Sequence, residues 1–202
     1  MHPKVKICGM TNAETIQTAI KHKVDYLGFV FYPKSPRNLT PDQARELTKN
    51  IPQNVKRIAV LVNAKDEFIE QIKDYFDCFQ LHGHEDVKRI KELKQKFNKG
   101  IIKAIRVTDE ASARTFSQFE DEVDMLIFDS PAMEKTAKFD WQILSKLKIT
   151  KPYLIAGSIN INNVDEILKY NPTGVDVSAG VESSVGVKSN EKIIEFLDKV
   201  KS

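Results

Sequence analysis

The feature that most constrains this chain is a regular alternation between short apolar segments and longer amphipathic ones. Apolar runs such as residues 5–8 and 26–31 have the length of buried β-strands. The segments between the runs repeat apolar residues at helical spacing, as Val87, Ile90 and Leu93 do. The alternation continues along the whole chain, so it predicts a series of βα units built around a parallel sheet.

Eight such units can be counted, and their length hardly changes along the chain. The predicted strands are residues 5–8, 26–31, 58–62, 79–82, 101–107, 123–128, 153–156 and 174–177. This pattern predicts an α/β fold, the (β/α)8 TIM barrel, as a single domain over residues 1–202. A doubly wound open sheet also alternates strands and helices, but no Gly-x-Gly-x-x-Gly segment follows the first strand.

Composition and charge limit the classes of partner. Charged residues make up 29% of the chain, the net charge is +3, and the lysines are spread over many helical segments. This is typical of solvated helix faces and not of a nucleic-acid-binding stripe. The apolar runs are too short to span a bilayer, and the N-terminal segment has no secretory apolar region. We therefore expect a cytoplasmic protein with no nucleic-acid or membrane partner.

The two cysteines, Cys8 and Cys78, lie far apart and outside any CxxC or Cys/His cluster. This spacing predicts neither a metal site nor a disulfide framework. Cys78 directly precedes the predicted fourth strand, at the end of a barrel that serves stability, so we interpret it as structural.

The active site of such a barrel lies at the C-terminal ends of its strands. Cys8 ends the first strand just before a helix whose start fits a capping box from Thr11 to Glu14, and a helix N-terminus stabilises a thiolate. Asp129 ends the sixth strand, where partial desolvation at an apolar rim favours a protonated carboxyl group. These two residues are the candidate base and acid, and a buried core cysteine and a turn aspartate are the structural alternatives.

Other strand-end residues suit an anionic, phosphorylated ligand. Arg37 lies in a loop with two prolines and can hold a carboxylate in a bidentate fork, unless it is an ordinary surface arginine. His82 ends the fourth strand and either lines the pocket or completes the strand end. Small residues follow the seventh and eighth strands, where backbone N–H groups can approach a phosphate or simply form tight turns: Gly157, Ser158, Ser178, Ala179 and Gly180.

Sequence motifs run through almost the whole chain in one characteristic order. Residues 5–11 read Val-Lys-Ile-Cys-Gly-Met-Thr, and residues 175–182 read Val-Asp-Val-Ser-Ala-Gly-Val-Glu. Between them lie Gly-Phe-Val-Phe, Ser-Pro-Arg, Gln-Leu-His-Gly, Phe-Asp, Phe-Asp-Trp and Ala-Gly, at residues 28–31, 35–37, 80–83, 128–129, 139–141 and 156–157. In this order the motifs resemble those of the phosphoribosylanthranilate isomerase family of tryptophan biosynthesis.

The resemblance implies an Amadori rearrangement of N-(5′-phosphoribosyl)anthranilate, a small phosphorylated substrate, to 1-(2-carboxyphenylamino)-1-deoxyribulose 5-phosphate, with no metal and no organic cofactor. It implies that Asp129 protonates the ribose ring oxygen and that the Cys8 thiolate removes the C2′ proton. Arg37 would bind the anthranilate carboxylate, and Asp176 would face the ribose or support the site. The five small residues would bind the phosphate through their backbone amides. We expect a monomer or a homodimer.

The chain departs from the family pattern after the proposed acid. The family usually has a Gly-Gly-x-Gly loop there, whereas residues 131–138 read Pro-Ala-Met-Glu-Lys-Thr-Ala-Lys, without glycine. The family's second glycine after the seventh strand is Ser158, which can offer its backbone N–H if its φ is negative. Its usual Ser-Ser-Gly is Ser-Ala-Gly at residues 178–180. Because Cys8, Arg37 and Asp129 are all present, we still expect activity.

Two alternative functions remain open at this point. A sister isomerase of the histidine pathway performs the same rearrangement on a similar barrel, but its base resembles an aspartate, so Cys8 argues against it. A phosphate-binding barrel with a regulatory role belongs to a different class and would bind a substrate analogue without turnover. A thiol-redox role is less favoured, because Cys8 has no nearby resolving cysteine.

Overall fold

The computed structural model describes residues 2–130 and 139–202. Eight parallel strands close into a barrel in sequence order, with β8 paired to β1. The strands are β1 (Lys4–Cys8), β2 (Tyr26–Phe31), β3 (Lys56–Leu61), β4 (Cys78–Leu81), β5 (Gly100–Arg106), β6 (Met125–Asp129), β7 (Tyr153–Ile155) and β8 (Gly174–Val177). The predicted (β/α)8 barrel is confirmed, and the open doubly wound sheet is wrong.

Helices alternate with these strands around the outside of the barrel. They are α1 (Ala13–Lys21), α2 (Pro41–Thr48), α3 (Asp66–Ile72), α4 (Val87–Phe97), α5 (Glu110–Arg114), α6 (Gln142–Ser145), α7 (Val164–Leu168) and α8 (Asn190–Lys201). A small antiparallel pair, β9 (Glu182–Ser184) and β10 (Val187–Lys188), lies between β8 and α8. No helix in the two described ranges combines the length and the apolar composition needed to cross a membrane.

Three local predictions about helices were wrong, and hydrogen bonds explain them. The N-cap of α1 is Asn12, whose side chain accepts from the N–H groups of Glu14 and Thr15, so the capping box predicted at Thr11 does not form. The helices predicted near residues 109–119 and 140–147 are shorter, and α5 passes into a 3-10 turn. In both places a hydroxyl bonds back to a carbonyl three residues earlier and competes with the α-helical pattern: Thr115, Ser117 and Ser145.

The period-two alternation of the strands separates two apolar clusters. Val5 and Ile7 of β1 belong to the larger cluster between the barrel and its helices. A smaller cluster fills the barrel interior: Ile58, Ile102, Ala104, Ile127, Leu154 and Ala156. Successive side chains of a strand point to opposite faces, so Lys6 and Cys8 point into the barrel. The same rule turns Asp129, two residues after Ile127, toward the interior.

The barrel closes between its first and last strands. Lys4 of β1 is in register with Gly174 of β8, and a Cβ at Gly174 would lie 1.9 Å from the Lys4 carbonyl oxygen. Helix α8 packs against α1, and Lys201 near its end donates to the Pro3 carbonyl at 3.0 Å. A glycine is therefore needed at the seam, because any side chain there would push the two strands apart.

Candidate active site

A cavity of about 1070 Å³ opens at the C-terminal ends of the strands. Every residue that the sequence predicted for the site lines it: Cys8, Arg37, His82, Asp129, Gly157, Ser158, Asp176, Ser178, Ala179 and Gly180. These residues come from six different strands or the loops that follow them, and the closed barrel brings them together. Their proximity is an observation, whereas their chemical roles remain predictions.

Cys8 ends β1 with its side chain in the interior, and its surroundings differ from those expected. Helix α1 begins only at Ala13, and the Asn12 side chain already occupies its first N–H groups. Burial raises the pKa of the Cys8 thiol, and the ammonium groups of Lys6 and Lys188 oppose that effect. On balance burial prevails, so the pKa of the Cys8 thiol lies above its ordinary value, and the two ammonium groups act in the direction of the thiolate. Stabilisation of the thiolate by the N-terminus of α1 stays a prediction.

Lys6 and Asp176 form a buried ion pair below Cys8. Lys6 Nζ lies 2.8 Å from Asp176 Oδ2, and the two side chains are 0% and 7% exposed. Burial raises the pKa of Asp176 more than Lys6 lowers it, and the nearby Asp129 carboxylate raises it further. Asp176 Oδ1 is buried and has no hydrogen-bond partner within the described part of the chain, so it can accept from a ligand hydroxyl in the cavity.

His82 connects β4 to Asp129 across the cavity. Its Nε2 lies 3.3 Å from Asp129 Oδ2, and its Nδ1 lies 3.2 Å from the amide nitrogen of Gln80. An amide nitrogen can only donate, so Nδ1 accepts and Nε2 carries the hydrogen that points toward Asp129. This arrangement orients one oxygen of Asp129 and leaves Oδ1 as the atom that can exchange a proton with a ligand.

Arg37 is held in a fixed direction by Glu182. Its Nε and Nη2 donate to the two carboxylate oxygens at 2.6 and 2.7 Å, and Lys188 Nζ donates to the same carboxylate at 2.7 Å. Burial raises the pKa of Glu182, but the hydrogen bonds from Arg37 and Lys188 prevail and lower it to about 2. The remaining edge of the guanidinium, Nη1 and Nη2, stays available for a second carboxylate.

The small residues after β7 and β8 bring two loops into close contact. A Cβ at Gly180 would lie 2.0 Å from the Ile159 carbonyl oxygen, so glycine allows the loops to meet. Ser178 Oγ donates to the Cys8 carbonyl at 3.0 Å, which ties this segment to β1. The φ of Ser158 is +53°, so the condition of a negative φ for its backbone N–H is not met, and the residue takes a left-handed conformation next to Gly157 at +89°.

Comparison with known proteins identifies the family. A family model described as N-(5′-phosphoribosyl)anthranilate (PRA) isomerase matches residues 5–199. The chain belongs to this isomerase family. Two similar relatives, both named N-(5′-phosphoribosyl)anthranilate isomerase, come from Bradyrhizobium diazoefficiens and Zymomonas mobilis. The first is 37% identical, and the match covers 96% of this chain and 91% of the relative. The second is 33% identical, and the match covers 100% of this chain and 99% of the relative. The chain is thus an isomerase.

Solved structures of phosphoribosylanthranilate isomerases share the fold. The Thermotoga maritima enzyme is 31% identical with a TM-score of 0.90, and each chain is covered over 98% of its length. A second structure, also 31% identical with a TM-score of 0.88 and 98% coverage of both chains, is a complex with reduced 1-(o-carboxyphenylamino)-1-deoxyribulose 5-phosphate. A 3-hexulose-6-phosphate synthase is similar in fold alone, at 13% identity and a TM-score of 0.75.

Sequence reasoning gave no role to three residues of this isomerase site. Lys6 could have been found, because it lies two residues before Cys8 and therefore on the same face of β1. Glu182 ends the motif at residues 175–182 but received no role there, and Lys188 had no signal, since their contact depends on the turn between β9 and β10. The glycine-free loop, residues 131–138, lies outside the described residues.

Among residues 2–130 and 139–202, no group of three or more His, Cys, Asp or Glu side chains has the arrangement of a metal site. The expectation that the isomerase needs neither a metal nor an organic cofactor stays a prediction.

Proposed function

We propose that this chain catalyses the Amadori rearrangement of N-(5′-phosphoribosyl)anthranilate to 1-(2-carboxyphenylamino)-1-deoxyribulose 5-phosphate in tryptophan biosynthesis. The observation that carries the proposal is the placement of Cys8 and Asp129 in one cavity. They end β1 and β6, which are separated by β7 and β8 on the shorter path around the barrel. A sugar between them has a potential base on one side and a potential acid on the other.

The first step is opening of the ribose ring by Asp129. Its carboxyl proton goes to the ring oxygen, the bond between C1′ and that oxygen breaks, and the anthranilate nitrogen lone pair forms an iminium at C1′. His82 holds the other carboxylate oxygen at 3.3 Å and so orients the group. General acid catalysis of this kind requires Asp129 to begin protonated.

The second step is proton removal by Cys8. The thiolate takes the C2′ proton, and the electrons of that bond form a C1′–C2′ double bond that neutralises the iminium nitrogen. The resulting enolamine then tautomerises to the ketone, so the overall change is an isomerisation. The cations near Cys8 oppose the effect of burial on the thiol and favour the thiolate that this step needs.

The two ends of the substrate match two groups at the cavity rim. The free edge of Arg37 suits the anthranilate carboxylate, since Glu182 occupies the other edge. Gly157 and the segment Ser178–Ala179–Gly180 suit the phosphate, which backbone N–H groups bind well. Ser158, whose φ is positive, lines the same part of the cavity without meeting that condition. The ligand in the solved relative carries both a carboxylate and a phosphate in its name, which supports this assignment. The Oδ1 atom of Asp176 suits a ribose hydroxyl.

The test is turnover of phosphoribosylanthranilate generated in situ, followed by fluorescence, for the wild type, Cys8→Ser and Asp129→Asn. We expect an active wild type and a loss of at least ~100-fold in each variant, because each removes a general acid or base. Cys78→Ser and Asp121→Asn are matched controls outside the cavity and should keep wild-type activity.

Other outcomes separate the alternatives. A wild type that binds the reduced product analogue without turnover would favour the regulatory phosphate-binding barrel. A wild type that neither binds the analogue nor turns over substrate would contradict the proposal. Turnover of the bulkier histidine-pathway substrate would show a broader specificity.

The assembly that we propose is a single (β/α)8 domain acting as a monomer or a homodimer. A solved structure of a Thermotoga maritima relative concerns monomers generated from a dimeric enzyme, which makes the homodimer a specific possibility to test. Light scattering of the purified chain with and without product distinguishes the two states. A cytoplasmic location and the lack of a nucleic-acid partner stay predictions.

A further inference from the structure

Lys6 has the least exposed side chain among the cations of the site in residues 2–130 and 139–202. Its side chain is 0% exposed and lies in the barrel interior, on the same face of β1 as Cys8. A buried ammonium is costly unless it is paired, and Asp176 Oδ2 provides a partner at 2.8 Å. The chain thus keeps a charge deep in the barrel, directly below the proposed base.

Gly28 on β2 shows how close Lys6 and Cys8 are. A Cβ built on Gly28 would lie 3.0 Å from Lys6 Nζ and 3.1 Å from Cys8 Sγ. Both atoms therefore occupy the space that a side chain at position 28 would need. Because Gly28 has no side chain, the ammonium of Lys6 and the sulfur of Cys8, both on the neighbouring strand β1, can lie close together beside it.

We propose that Lys6 is a positioning residue whose ammonium is the shared counter-ion of the Asp176 carboxylate and the Cys8 thiolate. The inference rests on the proposed function only in taking Cys8 as the base. When Cys8 is a thiol, Lys6 is neutralised by Asp176. When Cys8 loses its proton, the same ammonium faces both anions. Asp176 therefore keeps Lys6 charged throughout the reaction, so no isolated buried charge appears when the thiolate takes up the C2′ proton.

Other charged groups face Cys8 from the neighbouring elements, and Lys6 is the strongest cation among them. Lys188 comes from β10, Arg37 from the loop after β2, and Asp176 from β8. Arg37 and Lys188 both bind the Glu182 carboxylate, which offsets much of their charge. Lys6 opposes the burial of Cys8 more than Lys188 does, as expected for the ammonium that lies fully inside the low-dielectric interior.

The test measures the ionisation of Cys8 in the full chain without substrate. The rate of alkylation by iodoacetamide is followed from about pH 6 to about pH 10, with Cys8 read by peptide mass mapping. Burial raises the pKa of Cys78 to about 11, so Cys78 is a slow internal reference. In Lys6→Met we expect alkylation of Cys8 to slow by about 10- to 1000-fold at any pH below the midpoint, which corresponds to a midpoint raised by about 1–3 pH units, the usual effect of losing one close opposite charge.

Lys4→Met is the matched control. Lys4 lies on the same strand and pairs with Asp25 at 2.8 Å, away from Cys8, so its loss should leave the Cys8 midpoint unchanged. An unchanged midpoint in a folded Lys6→Met chain, judged by circular dichroism, would overturn the proposal.

A second variant covers the case in which Lys6→Met does not fold. Asp176→Asn removes the anion that competes for Lys6, so the Cys8 midpoint should fall in a chain whose circular dichroism spectrum matches that of the wild type. A midpoint that rises or stays constant would overturn the proposal. These measurements need no turnover. A wild type without isomerase activity therefore contradicts the proposed function while leaving the role of Lys6 to be decided by the midpoints.

Discussion

At the scale of single residues, Glu182 determines how Arg37 meets the cavity. Its carboxylate accepts from Arg37, from Lys188 and from the Gly186 N–H at 3.1 Å, and its side chain is 4% exposed. These donors hold the carboxylate in one position, and the carboxylate in turn holds the Arg37 guanidinium. The position of the free guanidinium edge is thus fixed before a ligand arrives, which reduces the entropy lost on binding.

Glu182→Gln should weaken substrate binding more than chemistry. The amide offers one neutral acceptor where the carboxylate offers two charged ones, so Arg37 loses its bidentate hold. We expect KM for phosphoribosylanthranilate to rise by about tenfold, equivalent to one charge-assisted hydrogen bond of ~1.5 kcal/mol, with a smaller change in kcat. Steady-state kinetics measure both constants, and Glu191→Gln on the exposed start of α8 is the control. A wild-type KM would show that Glu182 does not hold Arg37.

The same carboxylate should make stability depend on acid pH. Its pKa is about 2 in the folded chain and near its ordinary 4.5 in the unfolded chain. A folded pKa below the unfolded one means that the unfolded state binds the proton more tightly than the folded state does. The contribution of Glu182 to the free energy of unfolding is therefore complete above about pH 4.5 and is lost as the pH falls toward about 2. Urea unfolding should therefore give a free-energy difference between wild type and Glu182→Gln that shrinks from about pH 6 to about pH 3. A constant difference would contradict the assigned ion pairs.

At the scale of elements, strands could be predicted better than helix ends. A strand of a barrel is buried on both faces, so it appears as an apolar run that few other structures produce. Helix ends depend on which side chain satisfies a few backbone groups, and neighbouring polar residues compete for that role. Thr11 and Asn12 are an example, since both residue types cap helices and only the geometry selects Asn12.

Asn12→Ala should destabilise the chain by about 1 kcal/mol, because two N–H groups of α1 lose their acceptor. Thr11→Ala is the matched control and should change the free energy of unfolding by less than about 0.5 kcal/mol. Urea denaturation of the two variants beside the wild type measures the difference. Equal effects would mean that the cap is shared between the two residues.

At the scale of the whole molecule, the location of the site was predictable and its charge network was not. Parallel strands in a barrel place all their C-terminal ends at one rim, so Cys8, His82 and Asp129 had to lie near one another. The ion pairs depend on residues far apart in the chain, such as Lys6 and Asp176, which only the register of β1 against β8 brings together. A local pattern carries no information about such a pair.

Gly174→Ala should be the most disruptive small change at the seam. Its new methyl group would meet the Lys4 carbonyl oxygen, a backbone atom that cannot move without breaking the β1–β8 pairing. We expect a loss of about 1–3 kcal/mol, or roughly 2–12 °C in Tm for a chain of this size. Gly100→Ala at the start of β5 is the control, because its methyl group meets a side-chain sulfur, Cys78 Sγ, at 2.9 Å. Calorimetry compares the two, and equal losses would show that the seam has no special constraint.

The hydrogen bond from Ser178 to the Cys8 carbonyl joins residues 170 positions apart. A ribosome that has released only the first seven strands has therefore made a chain that contains its proposed base but lacks β8, the partner on one edge of β1. Until the eighth strand emerges, both sides of the unfinished cylinder expose unpaired backbone groups, which are the usual starting point for aggregation. The same contact that completes the site thus ends the most vulnerable stage of synthesis, and enzyme activity can appear only after β8 and the Ser178 segment have been translated.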